Sequence, residues 1–326
     1  MIYLTDYISN SDLEKDLIGD KLFTFLDKDV NKKLVKILLV WHFLVNEESL
    51  KDFPNVEAVV RYGVGFDNID LTYCKNNGIK VFNNPDYGVD EVSDTALAMI
   101  MNFSRCIGSY NSASRKLVAT SNSNILWQEN INQNALRLKC STLGLVGAGR
   151  IGSALALKMK NIVGRVQFYD PYVSAGYEKV LGASRHGSLQ SLLSTADIIS
   201  VHVPLTVETK GLINDDFVRL MKDGSMLINT ARGGLLASYT CLFDGLTSGK
   251  IGAVGLDVLP EEPPLLSKED KFLLSWIDCN SEFSERIIIN PHTAYYSPNS
   301  FEEMREKAAQ MSLEALEGAQ IQNRIV

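Results

Sequence analysis

The sequence predicts an α/β protein in two units, the second a doubly wound parallel sheet, and three observations point there. Short β-branched runs alternate with segments of helical spacing along much of the chain. From about residue 140 these runs become more apolar, as strands buried on both faces do. A glycine triplet, GLVGAGRIG at Gly144 to Gly152, stands between one such run and a helix-forming segment.

With 326 residues the chain is long enough for two domains. Apolar residues make up 45 % and charged residues 22 %, the balance of a soluble globular protein. A formal charge of -7 argues against a nucleic-acid partner, whose phosphates need a basic surface. Five scattered cysteines, Cys74, Cys106, Cys140, Cys241 and Cys279, form no C-x-x-C pair and have no flanking histidine. They read as packing residues in a reducing cytosol, with no metal site and no disulfide framework. The amino terminus carries acidic residues where a secretory signal has a basic flank, and apolar runs such as ALAMIM fall far short of the roughly 20 residues of a membrane span. A cytoplasmic protein without membrane contact is expected.

The first strands are KILLV (Lys36 to Val40), EAVVRY (Glu57 to Tyr62) and IKVF (Ile79 to Phe82). Between the last two, DLTYCKNNG reads as a helix closing on a glycine. Together they predict a small α/β unit. TSNSNILWQENINQN (Thr120 to Asn134) is polar enough for a loop. The second unit, over about 101 to 291, takes its strands from TLGLVG, RVQFYD, DIISVHVP, SMLINT, GAVGLDV and RIIIN. NSFEEMREKAAQMSLEALEG closes the chain as an amphipathic helix.

A G-x-G-x-x-G triplet alone is a weak signal, but here it follows the strand TLGLV and precedes the helix former SALALKMKNIV. The next strand ends in Asp170, 23 residues beyond Gly147. That order is the dinucleotide-binding Rossmann pattern. Gly147 permits the tight turn, Gly149 lets backbone approach a pyrophosphate, and Gly152 brings helix against strand. Asp170 accepts hydrogen bonds from ribose hydroxyls and repels a 2'-phosphate, which favours NAD over NADP.

A hydride enzyme acting on a keto acid needs a cation for the carboxylate, an acid for the carbonyl oxygen and a group that keeps the acid charged. Candidates stand just beyond strands. Arg232 in NTARGGLL follows SMLIN, Glu262 in LDVLPEEPP follows AVGLD, and His292 in NPHTAYYS follows RIIIN. Each has a plainer reading: a solvated loop arginine, a charged turn residue beside prolines, a histidine satisfied in a core. All three close strands of one sheet, where ligands of open α/β folds bind.

RYGVGFDNIDL, NNPDYGVDEVSDTALAMIM, GLVGAGRIG, HVPLTVETKGLIN, NTARGGLL, GLDVLPEEPP and NPHTAYYS together resemble the NAD-dependent, D-isomer-specific 2-hydroxyacid dehydrogenases over nearly the whole chain. The resemblance implies two doubly wound parallel-sheet domains. A Rossmann NAD-binding domain, 102–291, is inserted into a smaller flavodoxin-like substrate domain, 1–101 plus 292–326, completed by the closing helix. It implies Arg232, Glu262 and His292 as the catalytic trio, with Glu262 rather than Glu261 in register before Pro263. Arg150 and Ile151 join the glycines at the cofactor. Thr230, Ala231 and Asp257 border the nicotinamide end, Val203, Pro204 and Leu205 match the wall near the adenosine half, and Thr209 is a further cofactor-binding residue. Backbone of Tyr62, Gly63, Val64 and Gly65 would contact the substrate carboxylate, assisted by Arg61, in an interdomain cleft that closes against water. WHFLVNEESL and HTAYYSPNSFEEMREKAA resemble the branch containing the C-terminal-binding proteins, with Tyr295 at its aromatic position. His42 matches a position of that branch, a buried structural histidine being the alternative.

The implied activity is hydride exchange between NAD and a small anionic 2-keto or D-2-hydroxy acid, with His292 as acid and base, Glu262 holding its imidazolium charged and Arg232 on the carboxylate. A homodimer is implied too. An NAD-responsive binding protein and a phosphoglycerate-type dehydrogenase stay open as alternatives, serine control being disfavoured by the short segment after His292. The segment from Pro264 to Asn290 is longer than the usual connection and could form a lid or a subunit contact.

Overall fold

The computed structural model describes all residues except 7–9, 121–126 and 128–134. The expected loop from Thr120 to Asn134 therefore lies, apart from Trp127 and the backbone of Thr120, outside the described residues. The chain divides into a smaller unit, Met1–Gly88 with Tyr295–Val326, and a larger one, Val89–Ala294.

In the smaller unit β1 (Ile2–Leu4), β2 (Leu22–Thr24), β3 (Ile37–Val40), β4 (Ala58–Arg61) and β5 (Lys80–Phe82) form one sheet. Their order is β2-β1-β3-β4-β5 and every pairing is parallel, the flavodoxin-like arrangement. Helices α1 (Asp12–Ile18), α2 (Glu47–Leu50) and α3 (Leu71–Asn76) connect the strands. Alternation along each strand divides the core: Ile37, Leu39 and Val60 enter one cluster and Leu38, Val40 and Val59 the other. The closing helix, Pro298–Leu316, covers the first cluster with Met304, Ala308 and Ala309. Its start is defined by a reciprocal cap, in which Ser297 and Ser300 each accept the other's backbone N–H at 3.0 Å, and by Pro298 in the first turn.

The larger unit begins with α4 (Val89–Ser104) and α5 (Ile107–Thr120). Its strands are β6 (Thr142–Val146), β7 (Arg165–Tyr169), β8 (Ser184–Arg185), β9 (Ile198–Val201), β10 (Ser225–Asn229), β11 (Ile251–Leu256) and β12 (Ile287–Ile289). The connecting helices include α6 (Arg150–Met159), α7 (Tyr177–Leu181), α8 (Leu189–Leu193), α9 (Asp215–Leu220), α10 (Tyr239–Thr247) and α11 (Lys271–Ile277). All pairings are parallel, in the order β12-β11-β10-β9-β6-β7-β8. The strand order reverses beside β6, which is the switch point where such sheets bind ligands.

A division at residue 101 cuts through α4. Ala96, Met99, Ile100 and Phe103 of that helix lie in one core cluster with Leu143, Leu155 and Ile228, so the helix packs with the larger unit from its first turns. Strands β1, β2 and β8 had no counterpart in the sequence reading. β8 holds only two residues, too few for periodicity to register.

The long connection after Pro263 carries α11, whose Phe272 and Leu273 are buried beside α10, and a short 3-10 turn at Ser284–Arg286. Arg286 anchors that turn, donating to the carbonyls of Gly252 and Ile251 at 2.7 Å each. Two of the five cysteines correct the packing expectation: Cys140 and Cys279 are exposed, whereas Cys74, Cys106 and Cys241 are buried. Cys140 ends a short 3-10 turn and Cys279 follows α11 in that long connection, both at the surface.

Candidate active site

β12, β11 and β10 are consecutive neighbours, so the loops leaving their carboxyl ends start side by side. Those loops carry His292, Glu262 and Arg232 respectively. His292 Nδ1 lies 2.7 Å from Glu262 Oε2. The other carboxylate oxygen of Glu262 accepts the N–H of Leu259 at 2.9 Å, which fixes the plane of the group. Burial alone would raise the carboxyl pKa of Glu262. The His292 hydrogen bond, the Leu259 N–H and the charges of His292 and Arg232 outweigh that, and hold it below the ordinary value. An ionised carboxylate only accepts, so Nδ1 carries a hydrogen and Nε2 is the ring nitrogen that Glu262 leaves unengaged. Among the described residues Nε2 has no hydrogen-bond partner, and the ring is 44 % exposed.

His292 holds φ 54, an unusual conformation for a residue with a side chain. The turn around it is clasped by Asp257, the residue following β11. The Asp257 carbonyl accepts the His292 N–H at 2.8 Å, and its carboxylate accepts the N–H groups of Thr293 and Ala294 at 3.0 Å. Burial raises the Asp257 pKa, opposed by those two N–H groups.

Arg232 leaves β10 through a loop tied by Asn229, a buried side chain that had no place in the sequence reading. Asn229 accepts from the N–H of Ala231 and donates to the carbonyl of Arg232, at 3.0 Å each. Arg232 Nη1 donates to the Ala231 carbonyl at 2.7 Å. Gly233 lets this loop meet the next one: a Cβ there would fall 1.8 Å from the Leu259 carbonyl oxygen, three residues before Glu262. A buried asparagine at a strand end was the available signal for Asn229; its partners are visible only in three dimensions.

Beyond β6 the glycine turn is built as its spacing implies. Gly147 has φ 95 and a Cβ there would meet the His202 carbonyl oxygen at 2.8 Å; at Gly152 a Cβ would fall 2.2 Å from the Gly147 oxygen. Gly149 caps α6 with no side-chain hydrogen bond and has open space where a Cβ would be. Arg150 is exposed and Ile151 half-buried in the first turn of that helix. Asp170 accepts from the N–H of Ala148 and of Tyr172 at 2.9 Å each, one on either oxygen. The Thr230 hydroxyl is buried with no partner among the described residues. An uncapped ten-residue helix, an open glycine and an orphaned hydroxyl fit a dinucleotide. Val203 packs against the Gly147 turn, and Thr209 donates to the Pro204 carbonyl at 2.6 Å, closing the neighbouring loop on itself.

His202, between β9 and that loop, has its Nε2 2.9 Å from Ser200 Oγ while its Nδ1 is enclosed, with no partner among the described residues. Burial lowers its pKa to about 4.

In the smaller unit Arg61 ends β4, and its guanidinium lies over Gly63, 3.2 Å from where a Cβ would stand. Arg61 Nε donates to Asn68 at 3.2 Å. The N–H groups of Gly63, Val64 and Gly65 have no partner among the described residues. Tyr62 is a correction. Its ring is fully buried, its hydroxyl donates to Glu14 at 2.9 Å and its N–H to Val40 at 3.0 Å, so neither group is left for a ligand. His42 is a second correction: it is exposed, edge-on to Trp41 at 5.4 Å, because it lies just past the end of β3. Tyr295 packs against Trp41 and Tyr87, each 6.1 Å away.

Residues 97–294 match the family described as D-isomer specific 2-hydroxyacid dehydrogenase, NAD binding domain. The chain is 33 % identical over 282 residues to D-lactate dehydrogenase of Treponema pallidum, covering 84 % of this chain and 82 % of that one. It is 29 % identical over 300 residues to C-terminal-binding protein 1 of Caenorhabditis elegans, covering 90 % of this chain but 39 % of that one. The crystal structure of Aquifex aeolicus D-lactate dehydrogenase, complexed with NAD and lactic acid, superposes with TM-score 0.82 at 30 % identity, over 98 % of this chain and 96 % of that one. This chain thus belongs to the D-isomer-specific 2-hydroxyacid dehydrogenases, enzymes of 2-hydroxy-acid oxidoreduction with NAD as cofactor.

Proposed function

We propose that the protein interconverts a small 2-keto acid and its D-2-hydroxy acid, pyruvate and D-lactate being the first pair to test, with His292 as the acid and base. The observation carrying this reading is the 2.7 Å bond from His292 Nδ1 to Glu262. Bound NADH supplies the hydride. His292, protonated on both nitrogens, gives the Nε2 proton to the substrate oxygen as negative charge grows there, and takes one back in the reverse direction. Glu262 fixes the orientation of the ring through the bond to Nδ1. Arg232 offers its guanidinium to the carboxylate and carbonyl. In the smaller unit, the N–H groups of Gly63, Val64 and Gly65, with Arg61, are suited to an anionic oxygen. The relatives named as D-lactate dehydrogenases support the choice of pyruvate.

We also assign the protein to a homodimer, supported by the exposed apolar Ile107 and Val118 on α5. The exposed free thiols of Cys140 and Cys279 suit a reducing compartment such as the cytoplasm. No helix among the described residues is long and apolar enough to cross a membrane.

Steady-state NADH oxidation with pyruvate, glyoxylate, hydroxypyruvate and bulkier keto acids tests the reading. Turnover with pyruvate is expected. NADH binding without turnover on any member of the panel would instead favour an NAD-responsive binding protein.

A further inference from the structure

The turn after β7 carries Asp170, and its conformation is set from outside the turn. Three of its carbonyl oxygens converge on one guanidinium: Arg185 Nη2 donates to Asp170 at 2.8 Å and to Val173 at 2.9 Å, and Nη1 donates to Ser174 at 3.2 Å. Carbonyl dipoles aimed at one point repel each other unless a cation stands there. Arg185 belongs to β8, a two-residue edge strand paired in parallel with β7, and its partner in register is Phe168, two residues before Asp170. The strand therefore delivers the side chain directly under the turn.

The carboxylate of Asp170 is oriented as a result. With the backbone of the turn held, the N–H groups of Tyr172 and Ala148 reach one oxygen each. A carboxylate has about four acceptor positions. Two remain, which is the number two vicinal ribose hydroxyls require.

We propose that Arg185 is the positioning residue for cofactor recognition: by gathering three carbonyls of the turn it presents the Asp170 carboxylate to the adenosine ribose, and so governs NAD affinity and not turnover. This rests on the reading of Asp170 as the ribose acceptor. Its fork geometry matters, since a planar guanidinium spans three carbonyls where a lysine ammonium, a point charge on a flexible stem, does not.

Equilibrium fluorescence titration of the full chain with NADH and NADPH tests it on three variants, Arg185→Met, Arg185→Lys and Asp170→Ala. Arg185→Met should weaken NADH about tenfold, the scale of one hydrogen bond to a charged group. Turnover at saturating NADH should stay within about twofold, and NADPH should gain nothing, because the acidic carboxylate is still there. Arg185→Lys should fall between wild type and Arg185→Met. Asp170→Ala should weaken NADH and narrow its lead over NADPH. If Asp170→Ala leaves the NADH affinity unchanged, the ribose reading fails and the proposal with it. If Asp170→Ala weakens NADH but Arg185→Met does not, the ribose reading stands and Arg185 has no positioning role. Should Arg185→Met fold poorly by its thermal midpoint, the lysine variant decides alone: wild-type NADH affinity overturns the proposal, and a loss at unchanged turnover supports it.

Discussion

The carbonyl of Asp257 accepts the backbone N–H of His292 at 2.8 Å, while the Asp257 carboxylate holds the next two N–H groups of the same turn. One residue at the end of β11 thus sets the backbone that aims the imidazole standing at the end of β12. The left-handed φ of His292 persists because these three bonds over-determine it.

Asp257→Asn keeps an acceptor but loses the charge and one accepting oxygen. The turn should loosen and turnover fall by about 10²-fold, the scale of a misplaced catalytic group. Steady-state kinetics checks it; wild-type turnover would mean that the His292 turn holds without the carboxylate.

His292→Ala removes the nitrogen that has no partner among the described residues and leaves Glu262 without its imidazole. Turnover should drop by roughly 10²–10⁴-fold, the contribution of a positioned general acid. NADH affinity by titration should be nearly unchanged. Undiminished turnover would remove His292 from the chemistry.

Gly233→Ala places a methyl group 1.8 Å from the Leu259 carbonyl oxygen, so the Arg232 loop must back away from the Glu262 loop. Overpacking of this kind costs roughly 1–3 kcal/mol. A lowered thermal midpoint together with reduced turnover is expected. A stable variant with normal kinetics would show that the two loops need not touch.

His202 is held neutral by burial, with its pKa lowered from 6.5 to about 4. Between these values the unfolded chain binds a proton that the folded chain refuses. The contribution of this residue is therefore complete above pH 6.5 and is lost as pH falls to about 4, below which both states are protonated. The loss is on the order of 3 kcal/mol. Urea unfolding across this range should show a steeper decline for wild type than for His202→Asn; parallel curves would contradict the assignment.

Much of the fold was legible because its long strands are strongly apolar. TLGLV, SMLIN and GAVGL needed no tertiary information, since burial on both faces leaves no polar alternation to confuse the pattern. β8 was not legible. Two residues carry no period, and Ser184 and Arg185 are not strand formers; pairing with β7 makes them one. Helix α4 was recognisable as apolar, but its membership in the larger unit depends on Met99 and Phe103 meeting Leu143 and Leu155, residues roughly forty or more positions away. The backbone of Tyr62 was offered to a ligand because it neighbours small glycines, but its N–H is already given to the carbonyl of Val40 on the adjacent strand.

What the linear order of residues determined alone was local: the glycine turn that only residues without Cβ can make, the acid that closes the next strand, and the polar groups placed just past strand ends. Tertiary structure decided the pairings. The 2.7 Å bond from His292 to Glu262, the clasp of Asp257 and the grip of Arg185 on three carbonyls each join segments brought together by the lateral order of strands in a sheet. That order comes from long-range burial and pairing, which no local propensity encodes.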